Sequence, residues 1–166
     1  MVEILRADIT TLNVDAIVNA ANSSLAGGGG VDGAIHRAAG PALAVAAVAL
    51  GPCAPGSAVI TPGFELRARF VIHAVGPIWS GGTRGEQDLL RSAYERSFQL
   101  AREKGTIRSI AFPAISTGIY RFPKPLAAEI ALQVMRSYEM DFDRIVACLF
   151  DDESVALYAD MMSSLR

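Results

Sequence analysis

Cysteine and histidine are scarce in this chain: two of each among 166 residues. Cys53 and Cys148 lie far apart, without the spacing of a redox pair or a zinc knuckle. His36 and His73 are too few to complete a zinc site with them, so neither a transition metal nor another cofactor is expected. Cys148, inside Ile145-Val146-Ala147-Cys148-Leu149-Phe150, reads as a small buried hydrophobe. Long apolar runs are also missing. The longest, Ala42 to Leu50, falls far short of the ~20 residues that span a bilayer. The start, Met1-Val2-Glu3-Ile4-Leu5-Arg6, reads as a strand and lacks the basic opening and apolar stretch of a signal peptide. A cytoplasmic chain with no membrane contact is expected. No block of like charge exists, and 15 Lys and Arg against 17 Asp and Glu leave a net charge of −2. That balance argues against a general basic surface for nucleic acid.

What is present is a well-filled core. Apolar residues make up 51% of the chain and the mean hydropathy is +0.32. The length suits one domain, 1–166, with no linker, repeat or low-complexity tract dividing it. Apolar runs of strand length recur at Val2–Leu5, Ala16–Val18, Ala58–Thr61, Phe70–Val75, Ile110–Pro113 and Ile145–Phe150. Their near-continuous apolar character suits strands covered on both faces. Helical stripes alternate with them: Glu86 to Lys104, Leu126 to Met140 behind Pro123 and Pro125, and Glu153 to Leu165. Between Asp32 and Leu50 the helical pattern breaks at Gly40-Pro41, giving two short helices. The alternation predicts an α/β fold: a three-layer α/β/α domain around a mixed, mostly parallel sheet. In such sheets ligands bind beyond the strand ends.

The segment most telling of function runs from Ala16 to Gly33. A strand leads into two side-chain amides, Asn19 and Asn22, then the four glycines Gly27 to Gly30, then Val31 and one carboxylate, Asp32. Glycines at Gly28, Gly29 and Gly30 expose peptide N–H groups with no Cβ in the way, the kind of backbone that holds a diphosphate. The spacing formally satisfies G-x-G-x-x-G, but no acidic residue follows at the distance a dinucleotide fold needs, and no Lys-Ser/Thr follows as in a Walker loop. A different phosphate-binding loop describes it better. A second such turn, Ser116-Thr117-Gly118-Ile119-Tyr120, follows the strand Ile110-Ala111-Phe112-Pro113. Two loops of this kind suit one diphosphate gripped from two sides.

The remaining candidates each carry two readings. Asp8, at the close of the first strand, is either a turn cap or a carboxylate accepting from an exocyclic amine such as that of adenine. Phe150 is either core or a platform for a base. Asp32 is a helix N-cap, or a carboxylate that orients a water, or both. Asn22 suits sugar hydroxyls. His36 reads as a packing residue, His73 as a hydrogen-bonded core residue, and Trp79 has no assigned role. No serine or cysteine has a base beside it, which disfavours a covalent nucleophile.

These stretches resemble the macrodomains, specifically the MacroD-type ADP-ribose hydrolases. The resemblance rests on Asp8-Ile9, Val14 to Asn22, Gly27 to Gly40, Val71 to Trp79 and Phe112 to Tyr120, in the family's order and across nearly the whole chain. It implies that Asp8 and Ile9 recognise adenine, that Gly28 to Val31 and Ser116 to Tyr120 embrace the diphosphate, and that Asn22 and Asp32 address the distal ribose. It also implies removal of mono-ADP-ribose from acidic side chains of modified proteins and deacetylation of O-acetyl-ADP-ribose, without metal. The alternatives are a non-catalytic ADP-ribose reader and a terminal phosphatase. Silent relatives often lack the Asn22/Asp32 pair, which favours the hydrolase. Two departures stand out. Ala7 replaces a usual glycine, and Arg121-Phe122-Pro123 replaces Gly-Tyr-Pro, adding bulk and charge beside the second loop.

Overall fold

Six strands form one sheet in the order β1-β6-β5-β2-β4-β3 in the computed structural model, which describes residues 1–165. The strands are β1 (Val2–Arg6), β2 (Ala16–Ala21), β3 (Ala58–Pro62), β4 (Phe70–Val75), β5 (Ser109–Phe112) and β6 (Arg144–Leu149). Every neighbouring pair is parallel except β3 with β4, so the sheet is mixed and mostly parallel, as expected. The helices are α1 (Gly30–Ala39), α2 (Ala42–Ala49), α3 (Glu86–Lys104), α4 (Lys124–Ser137) and α5 (Asp152–Ser164). None of the described helices is long and apolar enough to cross a membrane.

Alternation along each strand sorts the side chains onto two faces. Ala16, Val18, Ile72, Ala74, Ile110 and Phe112 join Leu90, Tyr94 and Phe98 of α3 and the inner residues of α4 and α5 in the larger core. Phe98 anchors that layer, stacked on Tyr138 with ring centroids 4.4 Å apart and touching Phe112 at 4.8 Å. Ile17, Val71, Ala111 and Val146 point the other way, onto Ile35 and Ala39 of α1 and Leu43 of α2. These clusters are the two interfaces of a three-layer α/β/α sandwich.

Local chemistry sets the element ends. Gly40, at φ 89°, closes α1, and Pro41 precedes α2, so the helical pattern breaks where glycine and proline stand in sequence. Pro123 and Pro125 flank the start of α4, where a missing N–H costs nothing. The helix stops at Ser137 and gives way to a 3-10 turn, Glu139–Asp141, rather than running to Met140. β2 extends past its apolar run through Asn19, Ala20 and Ala21. All three continue the register with β4, where Asn19 faces His73.

Candidate functional site

Five parallel strands end on the same edge of the sheet, and every segment expected to carry function leaves from that edge. Asp8 and Ile9 follow β1, and Phe150 follows its neighbour β6, tied there by the Ala7 N–H donating to Leu149 O at 2.9 Å. Ser116 to Tyr120 follow β5. Asn22 to Val31 follow β2. The arrangement is a row: carboxylate and aromatic at one end, the second loop in the middle, the glycine loop and Asp32 beyond it.

At the first end, Asp8 caps the 3-10 turn Ile9–Thr11. Its Oδ1 accepts from Thr10 N at 3.0 Å and Thr10 Oγ1 at 2.7 Å. The cap is therefore real, while Oδ2 has no donor among the described residues. Ile9 is buried in the core, so only its backbone is available, and its N–H has no acceptor among the described residues. Phe150 is 80% exposed and so is not core.

The glycine loop is held from both sides. Asn22 Oδ1 accepts from Ser24 Oγ at 2.6 Å and Leu25 N at 3.2 Å, while Asn22 Nδ2 donates to Gly27 O at 3.1 Å. The amide thus folds the loop back on itself, bonding backbone groups three and five residues on. Leu25 plugs the loop into a small cluster with Ala47, Cys53 and Val75. A Cβ on Gly33 would stand 2.5 Å from Gly28 O, so the loop lies directly on the first turn of α1 because residue 33 is glycine. The N–H groups of Gly28, Gly29, Gly30, Val31 and Asp32 donate to no acceptor among the described residues. Those of Gly29 to Asp32 are the four orphan donors of a helix N-terminus, with Gly28 just ahead of the cap; such donors together with the helix dipole favour an anion.

Asp32 corrects one expectation. Gly29 is the N-cap, without a side-chain bond, and Asp32 sits inside the first turn of α1, so its carboxylate is not a cap. The residue is 6% exposed. Its Oδ1 accepts from Asn19 Nδ2 at 2.8 Å. His36 Nε2 stands 3.3 Å from that same oxygen, off the hydrogen-bond line, so His36 packs against the carboxylate rather than in apolar core. A Cβ at Gly28 would lie 3.1 Å from Asp32 Oδ2 and 3.4 Å from Asn22 Nδ2. The second carboxylate oxygen and the Asn22 amide therefore converge across Gly28, beside the orphan N–H groups.

The second loop is shaped by its neighbours. Ser116 holds φ 67°, a left-handed conformation unusual for serine, and its buried Oγ has no partner among the described residues. Gly76, at the end of β4, leaves the space this hydroxyl fills; a Cβ there would overlap it. Ile115 N donates to the Tyr94 hydroxyl at 3.3 Å, Phe122 N to Ser116 O at 2.9 Å, and Trp79 N to Tyr120 O at 2.8 Å. The N–H groups of Ser116, Thr117, Gly118, Ile119 and Tyr120 make no such bond among the described residues. Ile119 is 91% exposed beside them. Arg121 is exposed and carries φ 60°.

Two contributors escaped the sequence reading. Glu86, at the start of α3, is 2% exposed and accepts from Ser80 N, Gly82 N and Arg84 N at 2.6–2.9 Å. Burial raises its pKa, but these peptide N–H donors outweigh it and hold the carboxyl down to about 2. The loop it organises carries Trp79, whose ring meets Phe122 edge-on at 4.8 Å. The other is Asn19, one of the two amides noted in sequence but given no place in the site. Its isolation within an apolar strand was the available signal. Among the described residues no group of three His, Cys, Asp or Glu side chains gathers as metal ligands.

The fold and this strand-end edge define an α/β/α module with a glycine loop of unpaired N–H groups beside a carboxylate. The family model of the macro domain matches residues 18–131, and the chain belongs to that family. A macro domain-containing protein of Ralstonia nicotianae is 57% identical over 162 residues, covering 98% of this chain and 94% of that protein. A Klebsiella pneumoniae protein named O-acetyl-ADP-ribose deacetylase is 52% identical over 169 residues, covering 98% and 96%. Among solved structures, a variant of the Oceanobacillus iheyensis macrodomain with ADPR superposes with a TM-score of 0.93 at 40% identity, covering 99% of this chain and 92% of that one.

Proposed function

We propose that this protein binds ADP-ribose and hydrolyses its esters, releasing mono-ADP-ribose from acidic side chains of modified proteins and acetate from O-acetyl-ADP-ribose. The reading rests above all on the convergence of Asp32 Oδ2 and Asn22 Nδ2 across Gly28, next to the free N–H groups of α1. The name of the Klebsiella relative and the ADPR in the Oceanobacillus structure support the same chemistry.

In this reading the ligand lies along the strand ends. Asp8 Oδ2 and the Ile9 N–H address adenine, with Phe150 against its face. Gly28 to Val31 and Ser116 to Tyr120 hold the diphosphate from two sides, and their fixed donors need no reorganisation as charge shifts. The distal ribose reaches Asn22 and Asp32. A water between Asp32 Oδ2 and a substrate phosphate oxygen is aimed at the ester. Water adds, the bond to the ribose oxygen breaks, and the proton passes to that oxygen. No metal takes part.

Mass spectrometry of an ADP-ribosylated glutamate peptide and of O-acetyl-ADP-ribose after incubation tests this. Wild-type protein releases ADP-ribose from both. Asp32→Ala keeps ADP-ribose affinity within a few-fold and loses most turnover, on the order of 100-fold or more. Normal release by that variant refutes the assignment, and release of phosphate from ADP-ribose bearing a terminal phosphate, with both esters left intact, supports a phosphatase instead.

A further inference from the structure

Behind Asp32 a line of polar groups runs away from the ligand edge into the sheet. Asn19 and His73 are both 0% exposed and Thr61 is 3% exposed. Asn19 Nδ2 lies 2.8 Å from Asp32 Oδ1 and 3.2 Å from His73 Nδ1. His73 Nε2 lies 3.0 Å from Thr61 Oγ1, which is itself 3.0 Å from Pro62 O. The three side chains come from β2, β4 and β3, on the face that α1 covers, where their neighbours Ile17 and Val71 are apolar.

Counting protons gives the line a single direction. An amide nitrogen only donates, so His73 Nδ1 must be the bare acceptor. The ring hydrogen then sits on Nε2 and goes to Thr61 Oγ1, whose own hydrogen goes to the Pro62 carbonyl. This requires a neutral ring. Burial, with the His36 ring 6.2 Å away, pulls the His73 pKa down to about 4, so the ring is neutral near pH 7. Asn19 Oδ1 is left buried without a partner among the described residues. Turning the amide over would set that oxygen against both the Asp32 carboxylate and the bare Nδ1, two acceptors facing an acceptor. His73 and Asp32 thus lock the amide between them at the expense of one unmade hydrogen bond.

We infer that His73 and Thr61 are positioning residues for Asp32. Acting through Asn19, they fix Oδ1 toward the sheet and leave Oδ2 presented over Gly28. The inference rests on Asp32 acting as proposed above. Removing the hydroxyl or the imidazole frees the Asn19 amide to rotate. Asp32 then loses its one strong donor and turns among several orientations, so turnover falls while the diphosphate grip is untouched.

The test compares Thr61→Val, His73→Leu, His73→Asn and Asp32→Ala, measuring kcat and KM on the ADP-ribosylated peptide, ADP-ribose affinity by calorimetry, and thermal stability. Thr61→Val lowers kcat several-fold and His73→Leu about tenfold or more, with KM and affinity within about twofold. His73→Asn, whose amide oxygen can stand where Nδ1 stood, recovers most of the rate. Nitrogen-15 spectra of the wild type place the His73 hydrogen on Nε2 between pH 6 and 8. Full kcat in folded Thr61→Val and His73→Leu, a rate loss matched by equal loss of affinity, or a hydrogen on Nδ1 overturns the inference. Should His73→Leu fail to fold, Thr61→Val and the tautomer decide it. If Asp32→Ala is as active as wild type, the proposed function falls. If Asp32→Ala is dead while both positioning variants run at full rate, this inference falls alone.

Discussion

Gly33→Ala sets two opposing effects against each other. Residue 33 lies in α1, where alanine is favoured over glycine by about 1 kcal/mol. Against this, the new methyl would stand 2.5 Å from Gly28 O, whereas carbon–oxygen contacts of this kind settle near 3.3 Å. The glycine loop must retreat by roughly 0.8 Å, and overpacking of this order costs about 1–3 kcal/mol. The side chain of Arg37, 3.1 Å from the same methyl, is flexible enough to move aside. The net loss of stability is therefore small, about 1 kcal/mol, equivalent to a fall in Tm of about 2–4 °C for a chain of this size. Ligand binding suffers more. The retreat carries the N–H groups of Gly28 to Gly30 out of line, and each lost hydrogen bond to a charged phosphate is worth about 1.5–3 kcal/mol. Losing one weakens ADP-ribose binding by about 10–100-fold. Calorimetric titration with ADP-ribose alongside a thermal melt measures both. Wild-type affinity in folded Gly33→Ala refutes the claim that contact between Gly28 and α1 shapes the cradle.

Other outcomes follow from neighbouring features. Glu86 has its carboxyl held far below the ordinary glutamate value, so its support for the 80–85 loop is fully present above about pH 4 and is lost as the pH falls toward about 2. Trp79 is the only tryptophan, so its emission reads that loop directly. It stays constant down to about pH 4 and changes below, whereas Glu86→Gln shows the changed emission already at neutral pH; identical spectra for variant and wild type refute the role. Arg121→Gly relieves a left-handed arginine and raises Tm by about 2–4 °C, corresponding to about 1 kcal/mol, while ADP-ribose affinity falls several-fold through the lost positive charge. An unchanged Tm would mean that the backbone there is not strained.

Much of this architecture is legible in the linear chain because the signals are local. The strand positions follow from apolar runs, the break between α1 and α2 from Gly40-Pro41, and the cradle from four glycines ahead of Asp32. Asp8 shows how two readings can coexist, since Oδ1 caps the turn and Oδ2 remains free. What was hidden depends on distant register or on backbone direction. Asn19 meets His73 only because β2 and β4 align those residues across 54 positions of sequence. Glu86 is satisfied by peptide N–H groups, whose orientation no side-chain pattern reveals. His36 sits one helical turn beyond Asp32, a spacing visible in the sequence. Its contact depends on α1 beginning at Gly30, which puts Asp32 inside the first turn rather than at the cap.

The pairing of Asn19 with His73 makes sheet alignment itself part of the chemistry. Sliding β2 by one residue against β4 would swing the amide to the opposite side, among Leu90, Tyr94 and Phe98, and would turn Val18 toward Asp32. Loops between the strands can lengthen or shorten without touching that alignment. A single-residue insertion inside either strand would dismantle the site while leaving the hydrogen-bonded ladder largely intact.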